Sequence, residues 1–201
     1  MNPETTALLL IGFQNDYFAK DGVLYGVVEE SNRVTGTLAN TLALIEALAP
    51  TAVTMISTPI LFTPDYRELK EPVGILATIK EVQAFKEGTD GAKTIEQLRA
   101  FGNRVIEVPG KRGLNAFSNT KLDSVLRERG VDTIILAGTV TSICIDSTGR
   151  SAFEKGYNVS VLSDCTSSRT TFEQEFFCDQ IFPLYASVIT SKSLLDSLLI
   201  T

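Results

Sequence analysis

Hydrophobic residues fall in six short runs along the chain, and stretches with helical spacing separate many of these runs. The runs lie at residues 6–11, 52–56, 104–108, 133–137, 158–162 and 186–190. Near-continuous runs rich in β-branched residues are typical of strands buried on both faces. The spacing predicts helices at residues 31–48, 73–82, 94–101, 119–129, 145–155, 171–181 and 191–199. This alternation predicts a three-layer α/β/α fold, in which helices cover both faces of a six-stranded, mainly parallel sheet.

The chain has 201 residues, a length that suits a single domain, 1–201, with a substantial hydrophobic core. Its formal net charge of −6 argues against a nucleic acid or an anionic membrane as partner, because both favour a basic surface. No hydrophobic run is long enough to span a membrane, and no signal peptide is recognisable. Three cysteines without paired spacing favour reduced thiols. We therefore expect a cytoplasmic protein.

The chain contains no histidine. This absence excludes catalysis by a serine–histidine–aspartate triad or a cysteine–histidine pair, and it excludes every metal site that depends on imidazole. Acid–base chemistry must come from Asp, Glu, Lys, Tyr or Cys side chains. No dense carboxylate motif of the calcium-binding kind is present, so we expect neither a metal nor another cofactor.

Cys144 follows the fourth hydrophobic run, where a predicted central strand gives way to a predicted helix. That point lies at the carboxyl edge of the sheet, where open α/β folds bind their ligands. A helix N-terminus favours a thiolate over a thiol, and its N–H groups can bind a developing oxyanion. Position alone fits equally well a buried cysteine that only fills a contact between strand and helix.

Two other strand ends carry polar residues. The segment after Ile11 includes Asp16, and the segment after Val108 includes Lys111. Since parallel strands point the same way, these segments and Cys144 are predicted to meet at one edge of the sheet. A lysine beside Cys144 would stabilise a thiolate and the negative charge of a transition state. The alternative is a solvated surface lysine, which is the commoner case.

Four sequence blocks, spaced over nearly the whole chain, resemble the isochorismatase-like cysteine hydrolases, the superfamily of nicotinamidases and N-carbamoylsarcosine amidohydrolases. Residues 7–18 resemble the family's first strand and its Asp-x-Gln-x-Asp-Phe signature, and residues 111–120 resemble its lysine loop. Residues 138–144 match Gly-x-x-Thr-x-x-Cys, and residues 156–164 resemble the strand that follows. The resemblance implies an isochorismatase-like fold and, for most members, a homo-oligomer such as a dimer or tetramer.

The resemblance also implies roles for individual residues. Cys144 would attack an amide or imide carbonyl and form an acyl-enzyme that water hydrolyses, and Lys111 would be the lysine of the catalytic triad. A cis peptide bond would join Thr139 to Val140. It would turn the Val140 N–H inward, so that the N–H groups of Val140 and Cys144 form an oxyanion hole.

The chain departs from the family pattern at the triad aspartate, which would fall at Gly12. Three explanations are open. Asp16, or another carboxylate such as Glu107, has become the base. Alternatively, the Lys111–Cys144 pair suffices, with the lysine as proton carrier. In the third, the protein has lost hydrolysis and now binds, isomerises or merely senses a ligand.

The lack of histidine is a second departure, because nicotinamidases hold a metal with Asp and His ligands. The sequence therefore predicts a metal-free cysteine hydrolase that cleaves the C–N bond of a small amide, ureido or imide substrate. Hydrolysis of the vinyl ether of an isochorismate-like acid is a rival, but that route in the family uses no cysteine. A non-hydrolytic small-molecule-binding homologue is the rival from another class.

Four aromatic residues are candidates for the substrate pocket: Tyr17, Phe18, Phe62 and Phe117.

Overall fold

The computed structural model describes residues 1–199 and confirms the predicted α/β fold, with a six-stranded sheet in which every pairing is parallel. Residues 200 and 201, which the predicted domain includes, lie outside the described residues. The strands are β1 (Thr6–Ile11), β2 (Thr54–Thr58), β3 (Val105–Glu107), β4 (Thr133–Thr139), β5 (Asn158–Ser167) and β6 (Ser187–Ile189).

Residues 1–199 also contain nine α-helices. They are α1 (Asn15–Phe18), α2 (Tyr25–Thr35), α3 (Thr37–Leu48), α4 (Gly74–Glu81), α5 (Glu96–Arg99), α6 (Leu122–Glu128), α7 (Asp146–Glu154), α8 (Thr171–Phe176) and α9 (Ser191–Leu199). Two π-helical turns, Thr141–Ile145 and Phe177–Ile181, precede α7 and follow α8. No helix in the described part of the chain is both long and apolar enough to cross a membrane.

Alternate residues of β1 are buried in two separate cores, one on each face of the sheet. Ala7, Leu9 and Ile11 belong to the core that also contains residues of α4, α6 and α7. Leu8 and Leu10 belong to the core formed with residues of α3, α5 and α9. Since both faces of the strand are buried, β1 reads in the sequence as one unbroken hydrophobic run.

The strand order is β3-β2-β1-β4-β5-β6. From β1 the chain adds β2 and then β3 on one side. It then returns to place β4 on the other side of β1, and β5 and β6 follow outward from β4. The neighbouring strands β1 and β4 therefore form the switch point of the sheet, and connections that leave in opposite directions open a crevice at its carboxyl edge. The segment after β1 begins at Gly12, and the segment after β4 contains Cys144.

The predicted helix at 31–48 is wrong. The structure has two helices there, α2 and α3, separated by Gly36 with a φ of +69°. A left-handed residue ends a helix because it turns the chain away from the helix axis, and glycine adopts that conformation without steric cost. The hydrophobic spacing continues on both sides of Gly36, so the periodicity alone hid the break.

Most other boundaries shift by a few residues, and two of the differences bear on the carboxyl edge of the sheet. The fifth strand was predicted to end at residue 162 but continues to Ser167, with an irregular register opposite Leu136 and Gly138. Asp164 and Cys165 therefore lie within β5 and not beyond it. The helical segment after β4 begins at Thr141, so Cys144 lies inside its first turn and not before it.

Candidate active site

The turn that carries Cys144 is fixed by close contacts between β4 and its neighbours. Gly138 has a φ of +122°, and a Cβ added there would overlap the Ile11 carbonyl oxygen of β1. A cis peptide bond joins Thr139 to Val140, the position at which the family resemblance places one. The Val140 carbonyl then accepts hydrogen bonds from the N–H groups of Ile143 (3.1 Å) and Ile145 (3.2 Å). These contacts hold Cys144 at the carboxyl edge of the sheet.

Lys111 extends the pairing of β2 and β3 beyond the ends of both strands. Its backbone pairs with Ile60, and its carbonyl accepts the Leu61 N–H at 3.0 Å. The side chain is 0% exposed, so Lys111 is not a surface lysine. Its Nζ donates a hydrogen bond to the Gly113 carbonyl at 2.5 Å and lies 3.4 Å from the Sγ of Cys144. The two residues are 33 positions apart in the sequence and meet at the sheet edge.

The electrostatic balance of this pair is unusual. Cys144 is 3% exposed, and no carboxylate in the described chain forms an ion pair with Lys111. A buried ammonium without a counter-charge is strongly destabilising. The neutral arrangements are an ammonium with a thiolate or an amine with a thiol. In either arrangement Lys111 and Cys144 hold a single labile proton between them.

Gly12 lies directly against the Thr139 backbone. Its φ is +75°, and an added Cβ would lie 2.6 Å from the Thr139 carbonyl oxygen. Real Cβ atoms essentially never approach a backbone oxygen so closely. Both the backbone conformation and the available space therefore favour glycine at this position, and a side-chain carboxylate fits only if the backbone shifts.

Asp16 is buried, and its Oδ2 accepts the Phe85 N–H at 2.6 Å. Burial raises the pKa of its carboxyl group, and hydrogen bonds from the backbone of Phe85 and Val23 partly offset that rise. Glu107 is exposed, and its Oε2 accepts the hydroxyl of Thr94 at 2.9 Å. Within residues 1–199, neither carboxylate hydrogen-bonds to Lys111 or Cys144. Both are engaged elsewhere, so neither stands as the base of the pair in this arrangement.

The four predicted pocket residues are not all placed alike. Three belong to the buried cluster that contains Cys144: Tyr17, Phe62 and Phe117. Phe18 is only half-buried and stacks on Phe13, at 5.1 Å between ring centroids, and Phe13 belongs to the core on the other face. The ring of Phe117 packs on Tyr157, 6.1 Å away. Three of the four candidates therefore share a buried cluster with Cys144, whereas Phe18 packs against the core on the other face.

Sequence reasoning missed Gln14. Its buried side chain donates to the carbonyls of Ile60 and Ala92, each at 2.7 Å, and accepts the Ile60 N–H at 2.7 Å. Because Ile60 pairs with Lys111, Gln14 links the segment after β1 to the segment that places the lysine. The glutamine of the Asp-x-Gln-x-Asp-Phe signature was the signal that could have identified it.

Comparisons with known proteins agree with the geometry. The family model of the isochorismatase domain matches residues 6–193. The isochorismatase family protein YddQ of Bacillus subtilis is 32% identical over 182 residues, which cover 89% of this chain and 84% of that protein. The ureidoacrylate amidohydrolase RutB of Agrobacterium fabrum is 27% identical over 178 residues, which cover 83% of this chain and 77% of RutB.

Among solved structures, the cysteine hydrolase from Pseudomonas syringae pv. phaseolicola superposes with a TM-score of 0.79 at 25% identity. The match covers 98% of this chain and 93% of that structure. The likeness therefore extends over the whole sheet and both helical layers.

Proposed function

The chain belongs to the isochorismatase family of hydrolases, and on that premise we propose that it is a metal-free cysteine hydrolase cleaving the C–N bond of a small amide, ureido or imide substrate. The contact of 3.4 Å between Lys111 Nζ and Cys144 Sγ is the observation that carries the proposal. A cysteine that only filled a core contact would not need a fully buried lysine beside it. The kinship with ureidoacrylate amidohydrolases supports the choice of C–N bond.

In the proposed reaction the Cys144 sulfur attacks the substrate carbonyl carbon, and the proton of the pair resides on Lys111. The C–N bond then breaks, the leaving nitrogen takes that proton, and a thioester remains on Cys144. Water attacks the thioester and gives one proton to Lys111. The acid product leaves, and the pair regains its single proton. Lys111 therefore serves as proton acceptor and donor in turn, which removes the need for a third group at residue 12.

We propose the N–H groups of Val140 and Cys144 as the donors that bind the oxyanion of each tetrahedral intermediate. Both lie at the start of the helical segment that begins at Thr141, where N–H groups lack partners within a helix. The positive end of the helix favours negative charge at the same place.

Release of ammonia tests the proposal. The protein is incubated with ureidoacrylate, N-carbamoylsarcosine, nicotinamide and a wider set of small amides and ureido acids. Cys144→Ser and Lys111→Met are each expected to reduce turnover by about 10³-fold or more, because each removes one half of the reacting pair. Cys178→Ser is the matched control, since Cys178 is also buried but has no lysine against its sulfur in the described chain.

The second candidate function is a non-hydrolytic small-molecule-binding homologue. The fit of Gly12 against Thr139, which leaves no room for a side-chain carboxylate, is the observation that favours it. Ligand binding without ammonia release from any compound, or turnover that survives Cys144→Ser, would support this candidate over the cysteine hydrolase.

A further inference from the structure

Gln174 connects α8 to the turn that carries Cys144. Its side chain is 5% exposed, and its Oε1 accepts the hydroxyl of Thr141 at 2.5 Å. Thr141 is 0% exposed, follows Val140 directly and begins the helical turn that contains Cys144. A side chain of α8 therefore holds the segment between the two N–H groups that we propose for the oxyanion hole.

Other hydrogen bonds fix the orientation of the Gln174 amide. Its Nε2 donates to the Ser163 carbonyl at 3.2 Å and to the Thr166 hydroxyl oxygen at 3.0 Å. A carbonyl can only accept, and the Thr166 hydroxyl already donates its proton to the Leu162 carbonyl at 2.8 Å. The amide nitrogen therefore faces β5 and the amide oxygen faces Thr141, whose hydroxyl has to donate.

The partners of this amide lie where β5 is irregular. Leu136 pairs with Val161 and Gly138 with Thr166, so the four residues 162–165 stand opposite one residue of β4. Extra residues of this kind leave backbone groups without partners in the ladder. Gln174 supplies a donor to one such carbonyl, and the same amide holds the turn that follows β4.

Building on the proposed function, we propose that Gln174 is a positioning residue for the reaction: through the Thr141 hydroxyl it keeps the N–H groups of Val140 and Cys144 in the orientation that binds the oxyanion. A small displacement of such donors weakens catalysis strongly. The neutral amide also suits this place. A carboxylate that accepted the Thr141 hydroxyl would add a negative charge near the oxyanion and raise the energy of the tetrahedral intermediate.

The test separates two reactions of the Cys144 sulfur. Iodoacetamide is attacked at a saturated carbon and forms no oxyanion. Acetaldehyde is attacked at its carbonyl carbon: the C–S bond forms, the carbonyl electron pair moves onto the oxygen, and the proton of the pair stays on Lys111. That oxygen occupies the proposed oxyanion hole. The dissociation constant of acetaldehyde is measured as reversible protection of Cys144 from alkylation.

Gln174→Leu removes the amide, and Thr141→Val removes the hydroxyl at the other end of the contact. We expect each to raise the dissociation constant of acetaldehyde, and to lower kcat for ammonia release, by about tenfold or more. The rate of alkylation by iodoacetamide and the KM should change by less than about threefold. Thr141→Ser keeps the hydroxyl and should restore most of the kcat and of the affinity for acetaldehyde.

Thr37→Val is the matched control. Thr37 is also 0% exposed, and its hydroxyl donates to the Thr166 carbonyl at 2.8 Å. The control therefore removes a buried hydroxyl from the same part of β5 without touching the turn of Cys144, and it should leave kcat and the affinity for acetaldehyde unchanged. If Gln174→Leu does not fold, Thr141→Val carries the test, because it leaves the amide bound to β5.

Three outcomes would overturn the inference. Equal losses with iodoacetamide and acetaldehyde would show that Gln174 only supports the packing of the thiol. An equal loss in Thr37→Val would show that any loosening of β5 has the same effect. Unchanged affinity for acetaldehyde in both variants, or no protection of the unchanged protein, would show that Gln174 positions no oxyanion hole. If the unchanged protein binds acetaldehyde but releases no ammonia, the proposed function fails, and the affinities alone decide the role of Gln174.

Discussion

The three cysteines are all buried, yet their sulfur atoms have different neighbours. Burial raises the pKa of the Cys165 thiol to about 12 and that of the Cys178 thiol to about 11, so both remain protonated at neutral pH. Cys144 differs because the Nζ of Lys111 lies 3.4 Å from its sulfur. A neighbouring cation favours the thiolate, which is the nucleophilic form. Burial alone therefore does not decide which thiol can react.

We expect iodoacetamide at pH 7 to modify Cys144 while Cys165 and Cys178 stay unmodified, as judged by mass spectrometry of peptides. Lys111→Met should slow the modification of Cys144 by about tenfold or more, because the thiolate loses its counter-charge. Lys80→Met is the matched control, since Lys80 also donates to a carbonyl oxygen, that of Leu69, at 2.8 Å. A rate at Cys144 that is insensitive to Lys111→Met would contradict the proposed pair.

Gly12 gives a second expectation at the level of single residues. Gly12→Asp, which would place a carboxylate where the sequence resemblance predicts the triad aspartate, should not raise turnover, because its Cβ would crowd the Thr139 carbonyl. Gly12→Ala should lower the free energy of unfolding by about 2–3 kcal/mol in urea denaturation, through both contact and backbone strain. Gly130→Ala isolates the strain, since Gly130 has a φ of +67° and open space around its added Cβ. Similar losses for the two alanine variants would show that the Thr139 contact costs nothing.

At the level of elements, the sequence predicted all six strands, because a strand buried on both faces leaves an unbroken hydrophobic run. It could not show that Gly36 divides one helical pattern into two helices. Nor could it show that β5 continues to Ser167, since the polar residues 163–167 have no hydrophobic run to mark them. The meeting of Lys111 and Cys144 followed from parallel strands sharing one edge. The sequence could not predict the hydrogen bond from the Phe85 N–H to the Asp16 carboxylate, because that contact depends on a loop without regular structure.

Helix α8 is anchored at its N-terminus by Glu173. The Thr170 hydroxyl accepts the Glu173 N–H at 3.1 Å, and the carboxylate accepts the Ser168 hydroxyl at 2.6 Å and the Arg169 N–H at 3.0 Å. Burial raises the pKa of Glu173, but the hydrogen bonds from Arg169 and Ser168 outweigh it and hold the pKa at about 2. This carboxylate therefore ties the end of β5 to the start of α8.

Glu173→Gln tests this anchor through pH. Because the folded pKa lies below the usual value of 4.5, the carboxylate stabilises the fold above about pH 5, and that contribution is lost as the pH falls toward 2. We expect the variant to be less stable by about 2 kcal/mol at pH 7, with the difference vanishing near pH 2. Glu175→Gln, an exposed position on the same helix, is the control. A difference independent of pH would contradict an anchor that depends on charge.

On the scale of the whole molecule, the two edges of the parallel sheet carry different groups. The carboxyl edge holds the Lys111–Cys144 pair at the switch point between β1 and β4. The amino edge is closed by Arg104, which precedes β3. Its guanidinium donates hydrogen bonds to four backbone carbonyls at the end of α3 and the start of β2, those of Leu48, Ala49, Thr51 and Val53, at 2.7–3.0 Å. The hydrogen bonds of Arg104 and the proposed reacting pair therefore lie at opposite ends of the strands.

If the edges act separately, substitutions at each should change only one property. We expect Arg104→Ala to lower the free energy of unfolding by about 3 kcal/mol, because it removes the guanidinium that donates to all four of these backbone carbonyls. The alkylation rate of Cys144 should stay within about twofold of the unchanged protein. Arg104→Lys keeps the charge but not the planar set of donors, so it should recover only part of the stability. Lys111→Met should show the reverse pattern, with slow alkylation and little loss of stability, because methionine fills much of the same buried volume with apolar atoms. A loss of thiol reactivity in Arg104→Ala under native conditions would mean that the amino edge also positions the pair, since the six strands connect the two edges through the core.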